Sequence, residues 1–203
     1  MGLKERKERE KLEMKDLILQ SAHQLFVDKG FEQVSIRNIA EAIEYSPATI
    51  YLYFKDKDEI FLALHGEAFK SFNAFVAPIM TIKDPLERLF ALGEKYMEFA
   101  YEFPKYYEIM FITESPMRCE QNSEEWQEGE RTLGFLEGIV EECKTEGHFK
   151  GQTTKILSFG IWSFMHGMVS LRLRDRLKVY EEAERDSIPL KAFDVFKQML
   201  RSF

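Results

Sequence analysis

Cysteine, proline, glycine and valine are all thin in this 203-residue chain, and each shortage closes off a class of structure. Two cysteines, Cys119 and Cys143, cannot make the framework of a disulfide-stapled domain. Six prolines and eleven glycines are too few for a turn-rich sheet protein. Few segments alternate apolar and polar residues with the period of a strand. No apolar run reaches the roughly 20 residues that cross a bilayer. The opening stretch, MGLKERKEREKLEMKD, has no apolar centre of a secretory signal. Arg6 stands where a myristoylated N-terminus carries Ser or Thr. The expectation is a reducing cytoplasm and no membrane partner.

Catalytic patterns are missing too. None of His23, His65, His148 and His166 belongs to the Glu-x-x-His pair that a carboxylate-bridged metal bundle requires. No nucleophile elbow, P-loop or dinucleotide fingerprint is present. Cys143 and His148 are five apart at a helix end, a poor spacing for chelation, and His166 has no ligating residue three or four positions away. These gaps argue against an enzyme and call for neither metal nor cofactor. Positive charge is also short: the net charge is −7, and the first 60 residues hold ten Lys and Arg against twelve Asp and Glu. Composition alone therefore gives no sign of a nucleic-acid partner. Any such affinity must come from a locally basic face, such as Arg37, Lys55, Lys57 and the arm before residue 15.

What is abundant is aromatic and helical. Aromatics make up 14% of the chain, with eighteen phenylalanines. Met14, Leu17, Ile18, Ala22, Leu25 and Phe26 recur at helical spacing, and Gly30 suits a left-handed stop. Residues 1–13 alternate Lys or Arg with Glu, and extend this helix if i,i+4 pairs such as Glu5–Arg9 hold. Ser35 caps a second helix, with Ile36, Ile39, Ala40 and Ile43 inward. Ser46 caps a third with Pro47 at its first position. Asp56 and Glu59 form a capping box for a fourth, to about Val76. Further helices are expected from Asp84–Pro85 to about Tyr101, from Pro104 through Phe111, from Glu124 to about Glu146, from Thr153 to about Lys178 and from Pro189 to Phe203. Thr113–Ser123, with Pro116, reads as a loop. The fold class is all-α: a three-helix N-terminal subdomain, then a helical bundle. The soft boundary divides residues 1–56 from 57–203.

The stretch Ser35–Ile60 carries most information. Two short helices joined by a tight turn suit a helix-turn-helix, whose second helix enters the major groove. Ile50 and Phe54, four apart, pack inward and leave Thr49, Tyr51, Leu52 and Tyr53 outward. An exposed aromatic cluster is costly for a structural helix, but fits Tyr51 on a thymine methyl and Tyr53 on a phosphate. Lys57, in the first turn of the next helix, joins amides that already favour phosphate.

Phe26, Gly30, Phe31, Ile39, Ala40, Ser46, Pro47, Thr49, Ile50, Tyr51, Tyr53, Phe54, Lys57 and Glu59 together resemble the helix-turn-helix of the TetR family of transcriptional repressors. The likeness covers about 50 residues. It implies a DNA contact at Arg37, phosphate contacts at Thr49, Tyr53 and Lys57, and a base-facing set of Pro47, Ala48, Tyr51 and Leu52. Ser46 and Lys55 complete the candidate DNA surface. Five positions depart from the family pattern. The turn usually reads Ala-Gly-Val-Ser and here is Ile43-Glu44-Tyr45-Ser46, which costs energy if Glu44 takes a positive φ. The usual glycine before Thr49 is Ala48, and the usual histidine is Tyr53.

Downstream, Ile156–Leu171 is apolar on almost every side and asks for a second subunit to cover it. Leu190, Phe193, Phe196, Met199, Leu200 and Phe203 form a stripe on the last helix. Met168, Leu171, Phe193, Phe196 and Leu200 are the candidate dimer contacts; by the resemblance, the last two helices of each subunit form a four-helix bundle. Trp162, His166 and Gly167 resemble a signature of one group of TetR C-terminal domains. Tyr96, Phe99, Tyr107, Met110, Phe111, Phe135, Trp162, Met165 and His166 are candidates to line a pocket for a hydrophobic effector. The expected function is a dimeric, ligand-responsive repressor on a palindromic DNA operator, repression resting on the resemblance. The competing reading is a helical adaptor that binds other proteins and no specific DNA.

Overall fold

The computed structural model describes residues 2–113 and 124–203, and every regular element among them is helical. Cys119, Pro116 and the expected loop beyond Thr113 lie outside the described residues. The helices are α1 Leu3–Lys29, α2 Ile36–Ala42, α3 Pro47–Tyr51, α4 Lys57–Val76, α5 Pro85–Glu102, α6 Pro104–Phe111, α7 Glu124–Thr145, α8 Thr154–Leu173 and α9 Ser187–Arg201.

Local chemistry sets most of these limits. Charged residues carry α1 back to Leu3 through Arg6–Glu10 and Arg9–Glu13 ion pairs. Gly30 ends it with φ 83 and ψ 148, a positive-φ region outside the left-handed helical well expected there, which only glycine tolerates. Ser35 and Asn38 form a reciprocal capping box on α2. Asp84 accepts the Leu86 and Glu87 amides at 2.8 and 2.9 Å, with Pro85 as the first residue of α5. At α4, Asp56 accepts the Glu59 amide at 2.8 Å, while Glu59 reaches the amide of Lys55 rather than that of Asp56.

Two ends differ from expectation. The eighth helix stops at Leu173 rather than near Lys178: Asp175 has φ 59, and a 3-10 turn, Arg176–Val179, follows. Its apolar periodicity runs out at Leu173, and the basic residues beyond have no core to join. The last helix opens at Ser187, two residues ahead of Pro189, because proline is tolerated within a first turn. The α8 stretch also corrects the reading that nothing here could span a bilayer. Over Thr154–Leu173 it is long enough, with mean hydropathy 1.2.

The described chain forms two compact units. One holds residues 1–71 with 105–129, the other 72–104 with 130–203. In the first, Ile18, Phe26, Ile39, Ile50, Ile60 and Ile109 share a buried core with Phe31, Phe54 and Phe61. In the second, Leu86, Leu89, Met97, Ile139, Val140, Met165 and Val169 are buried. The division between these units falls inside α4 and α7.

Candidate nucleic-acid interface and effector domain

The turn between α2 and α3 is a Schellman motif built without glycine. Tyr45 N–H donates to the Ala40 carbonyl at 2.9 Å, and Glu44 N–H to the Glu41 carbonyl at 3.1 Å. Glu44 sits at φ 60, the left-handed region. The turn therefore keeps its usual hydrogen bonds, at a cost of about 1–2 kcal/mol in a non-glycine residue. Ser46 then starts α3, its hydroxyl accepting the Thr49 amide at 3.2 Å and lying 3.0 Å from the Thr49 hydroxyl.

Burial sorts the candidate DNA residues. Ile50 and Phe54 are buried in the core of the first unit. Tyr51 and Leu52 are 57% and 77% exposed. Arg37, Ser46, Pro47, Ala48 and Lys55 are exposed as well. Thr49 and Tyr53 are only half-buried, and Tyr53 packs against the core. An outward Tyr51 at the end of a five-residue helix, with an outward Leu52 directly after it, is a costly surface for a protein with no partner there. Lys57 is held in place: its ammonium donates to the Phe31 carbonyl at 2.7 Å and stands 4.1 Å from the centre of the Phe31 ring. An ammonium has three donors, so this bond does not exhaust it.

The effector candidates do not fall in one place. Tyr107, Met110 and Phe111 belong to the first unit, where Tyr107 and Phe69 pack on Phe111 at 5.3 and 5.6 Å. Tyr96, Phe99, Phe135, Trp162, Met165 and His166 belong to the second. There Phe72 packs edge-on against Tyr96 and Phe99, and the Tyr96 hydroxyl lies 3.4 Å from His166 Nδ1. Trp162 meets the His166 ring in a T-shaped contact at 6.4 Å. Burial pushes the His166 pKa below its ordinary value and favours the neutral ring. Asn73 accepts a hydrogen bond from Thr132 at 2.8 Å, adding a second polar point to this unit.

A cleft of about 480 Å³ lies between α5 and α9. Its walls include Phe90, Ala91 and Ile82, with Glu87 paired to Arg201 and Glu94 to Lys197. The sequence signal was there in the charges spaced along α5 and α9, but nothing local sets those two helices side by side.

The dimer candidates split by burial. Phe193 and Leu200 are only 4% and 5% exposed, already covered by their own chain. Phe193 lies so close to Gly93 that a Cβ there would fall 2.7 Å from its ring. Phe196 is half-buried and stacks on Phe164 at 3.9 Å, and Met168 is half-buried. Leu171 is exposed, in company with Ile156 and Phe159 of α8, Leu190, Val195 and Met199 of α9, and Phe203 just beyond α9. Gly160 and Gly167 face open space, so nothing in their own chain requires a glycine there.

Comparison with known proteins agrees with this architecture. Residues 18–64 match the family model described as bacterial regulatory proteins, tetR family, and residues 89–201 match the tetracyclin repressor-like C-terminal domain. The HTH-type transcriptional regulator TcmR of Streptomyces glaucescens is 30% identical over 88 residues, covering 43% of this chain and 38% of that protein. The chain thus spans under half the length of that relative. Among solved structures, FadR from Bacillus subtilis in complex with stearoyl-CoA is similar, with a TM-score of 0.66 at 22% identity over 85% of this chain and 94% of that one. AibR in complex with isovaleryl coenzyme A and operator DNA gives a TM-score of 0.66 at 19% identity, over 92% and 97%. At such identities the likeness is one of fold.

Proposed function

The chain belongs to the TetR family of bacterial regulatory proteins, and from that premise we propose that it is a dimeric, ligand-responsive repressor of transcription. The observation that carries this reading is the exposed pair Tyr51 and Leu52 at the C-terminal end of a short, capped α3 whose other face is locked into the core. Residues 1–56 supply the DNA-binding part and 57–203 the effector and dimerisation part. Arg37, Thr49, Tyr53, Lys55 and Lys57 hold phosphates, while Pro47, Ala48, Tyr51 and Leu52 face base edges.

A second copy covers the exposed apolar stripe of α8 and α9. Gly160 and Gly167 let two α8 helices approach closely, and two helix-turn-helix units then meet successive half-sites of a palindrome. This use of α8 places it at a protein interface rather than in a bilayer.

The effector is a hydrophobic small molecule received by the second unit, around Tyr96, Phe99, Phe135, Trp162, Met165 and His166. The acyl-CoA ligands in the FadR and AibR structures make acyl chains the natural first probes. Because α4 and α7 each contribute to both units, effector and DNA binding are reciprocally linked through them. An adaptor that binds only proteins is the reading to beat. A salt titration against a random duplex pool separates the two: a regulator's affinity falls steeply with salt, and an adaptor shows no such binding. Stearoyl-CoA and isovaleryl-CoA added at fixed salt then test the linkage. If one of them binds the protein and DNA affinity does not move, the repressor mechanism fails.

A further inference from the structure

The first turns of α1 do nothing for the core. Residues 4–13 are all exposed, Leu12 at 61%. A helical segment that short and polar is marginal by itself in water. Its charges are nevertheless arranged. Lys4, Lys7, Lys11 and Lys15 fall within about 80° of one face at 3.6 residues per turn. The Arg6–Glu10 and Arg9–Glu13 pairs, at 2.7 and 3.5 Å, lie around the rest of the helix. The Glu5 carboxylate accepts the Gly2 amide at 2.8 Å, and Glu8 is the one acidic residue bordering the lysine row. Residues 3–15 carry six basic side chains against four acidic, the reverse of the balance over the first 60.

The row has a definite inner end. Lys15 places its ammonium 5.5 Å from the centre of the Phe54 ring, three residues past Tyr51 of α3. From there the lysines extend about 16 Å along the axis of α1, at 1.5 Å per residue. Lysine is a mobile point charge on a long stem, suited to phosphate oxygens rather than to base edges.

We propose that the N-terminal arm of α1 is a second DNA-binding element, whose lysine row lies along backbone phosphates flanking the bases faced by α3. It rests on the DNA-binding reading and adds to it a sequence-independent contact outside the recognised half-site. The arm raises affinity and salt dependence and leaves the consensus alone.

The test uses the full chain with Lys4→Gln, Lys7→Gln and Lys11→Gln combined; glutamine keeps helix propensity, and Lys15 is left on Phe54. Binding is measured over a salt series to the duplex that the wild type selects from a random pool. The expected result is the same consensus with a shallower log affinity against log salt, by about 0.9 per lysine in each subunit. Trimming base pairs outside the half-sites should weaken the wild type and leave the variant unchanged. An unchanged slope, or a changed consensus, overturns the proposal while the wild type still binds. A wild type that selects no duplex sinks the DNA-binding reading itself, and the arm with it.

Discussion

The amide of Tyr45 reaches back 2.9 Å to the carbonyl of Ala40, and that single bond closes α2 and aims the chain into α3. It forms only because Glu44 accepts a left-handed backbone at φ 60. Glycine would take that conformation without strain. Glu44→Gly should therefore raise unfolding free energy by about 1 kcal/mol, the lower end of the left-handed penalty, offset in part by glycine's extra chain entropy. Urea denaturation checks it. A loss of stability would mean that the Glu44 side chain contributes something its exposed position does not suggest.

Arg88 is the charged anchor of the second unit. It is 7% exposed, and its guanidinium reaches the Ile82 carbonyl at 2.9 Å, the Lys83 carbonyl at 3.2 Å and the Glu142 carboxylate at 2.6 Å. Arg88→Met keeps most of the volume and strips all three partners. Glu142 is half-exposed and recovers water, so the expected cost is about 2 kcal/mol, with helix content preserved. Differential scanning calorimetry measures it.

Three half-buried histidines weaken the fold on the acid side. Burial lowers the pKa of His23, His65 and His166 from the ordinary 6.5, outweighing the opposing pull of backbone hydrogen bonds at Lys105 on His23 and at Met110 on His65. The folded protein therefore binds fewer protons at these sites than the unfolded chain does. Their contribution is complete above about pH 6.5 and is lost as pH falls below it. The melting temperature should drop between pH 7.5 and 5.5, before ordinary carboxylates titrate. Proton NMR of the imidazole rings should show all three titrating below 6.5, and a ring titrating at 6.5 or higher would contradict its burial.

The exposed stripe of α8 predicts the quaternary state. Phe159 is 64% exposed in the single chain, so Phe159→Glu should leave the protomer's fold intact and break its association. Sedimentation velocity should find a dimer for the wild type and a monomer for the variant. Dimers in both would move the interface elsewhere.

The sequence announced the starts of α2, α3 and α5 well because their limits are local. Ser35, Ser46 and Asp84 each place an oxygen one turn from the amides they cap, and Ile50 and Phe54 share a face by spacing alone. It was silent where contacts are long-range. Nothing near Tyr106 tells that its ring stacks on His23 at 5.3 Å, which draws α6 into the same unit as α1. Residue type alone picks out the aromatic effector set, and type does not reveal that Tyr107 and Tyr96 belong to different compact units. Phe193 shows a related limit. An apolar stripe does not say whether its own chain or a partner covers it. The missing side chain at Gly93 that receives its ring lies a hundred residues away.

The central claim is that α3 reads DNA in a paired molecule. Selection of bound duplexes from a random pool, with wild type and Tyr51→Ala in parallel, addresses it most directly. The account predicts a palindromic consensus with half-sites about one helical turn apart, lost or degraded in the variant. No enrichment by the wild type at any salt, or an identical consensus from the Tyr51 variant, would contradict it.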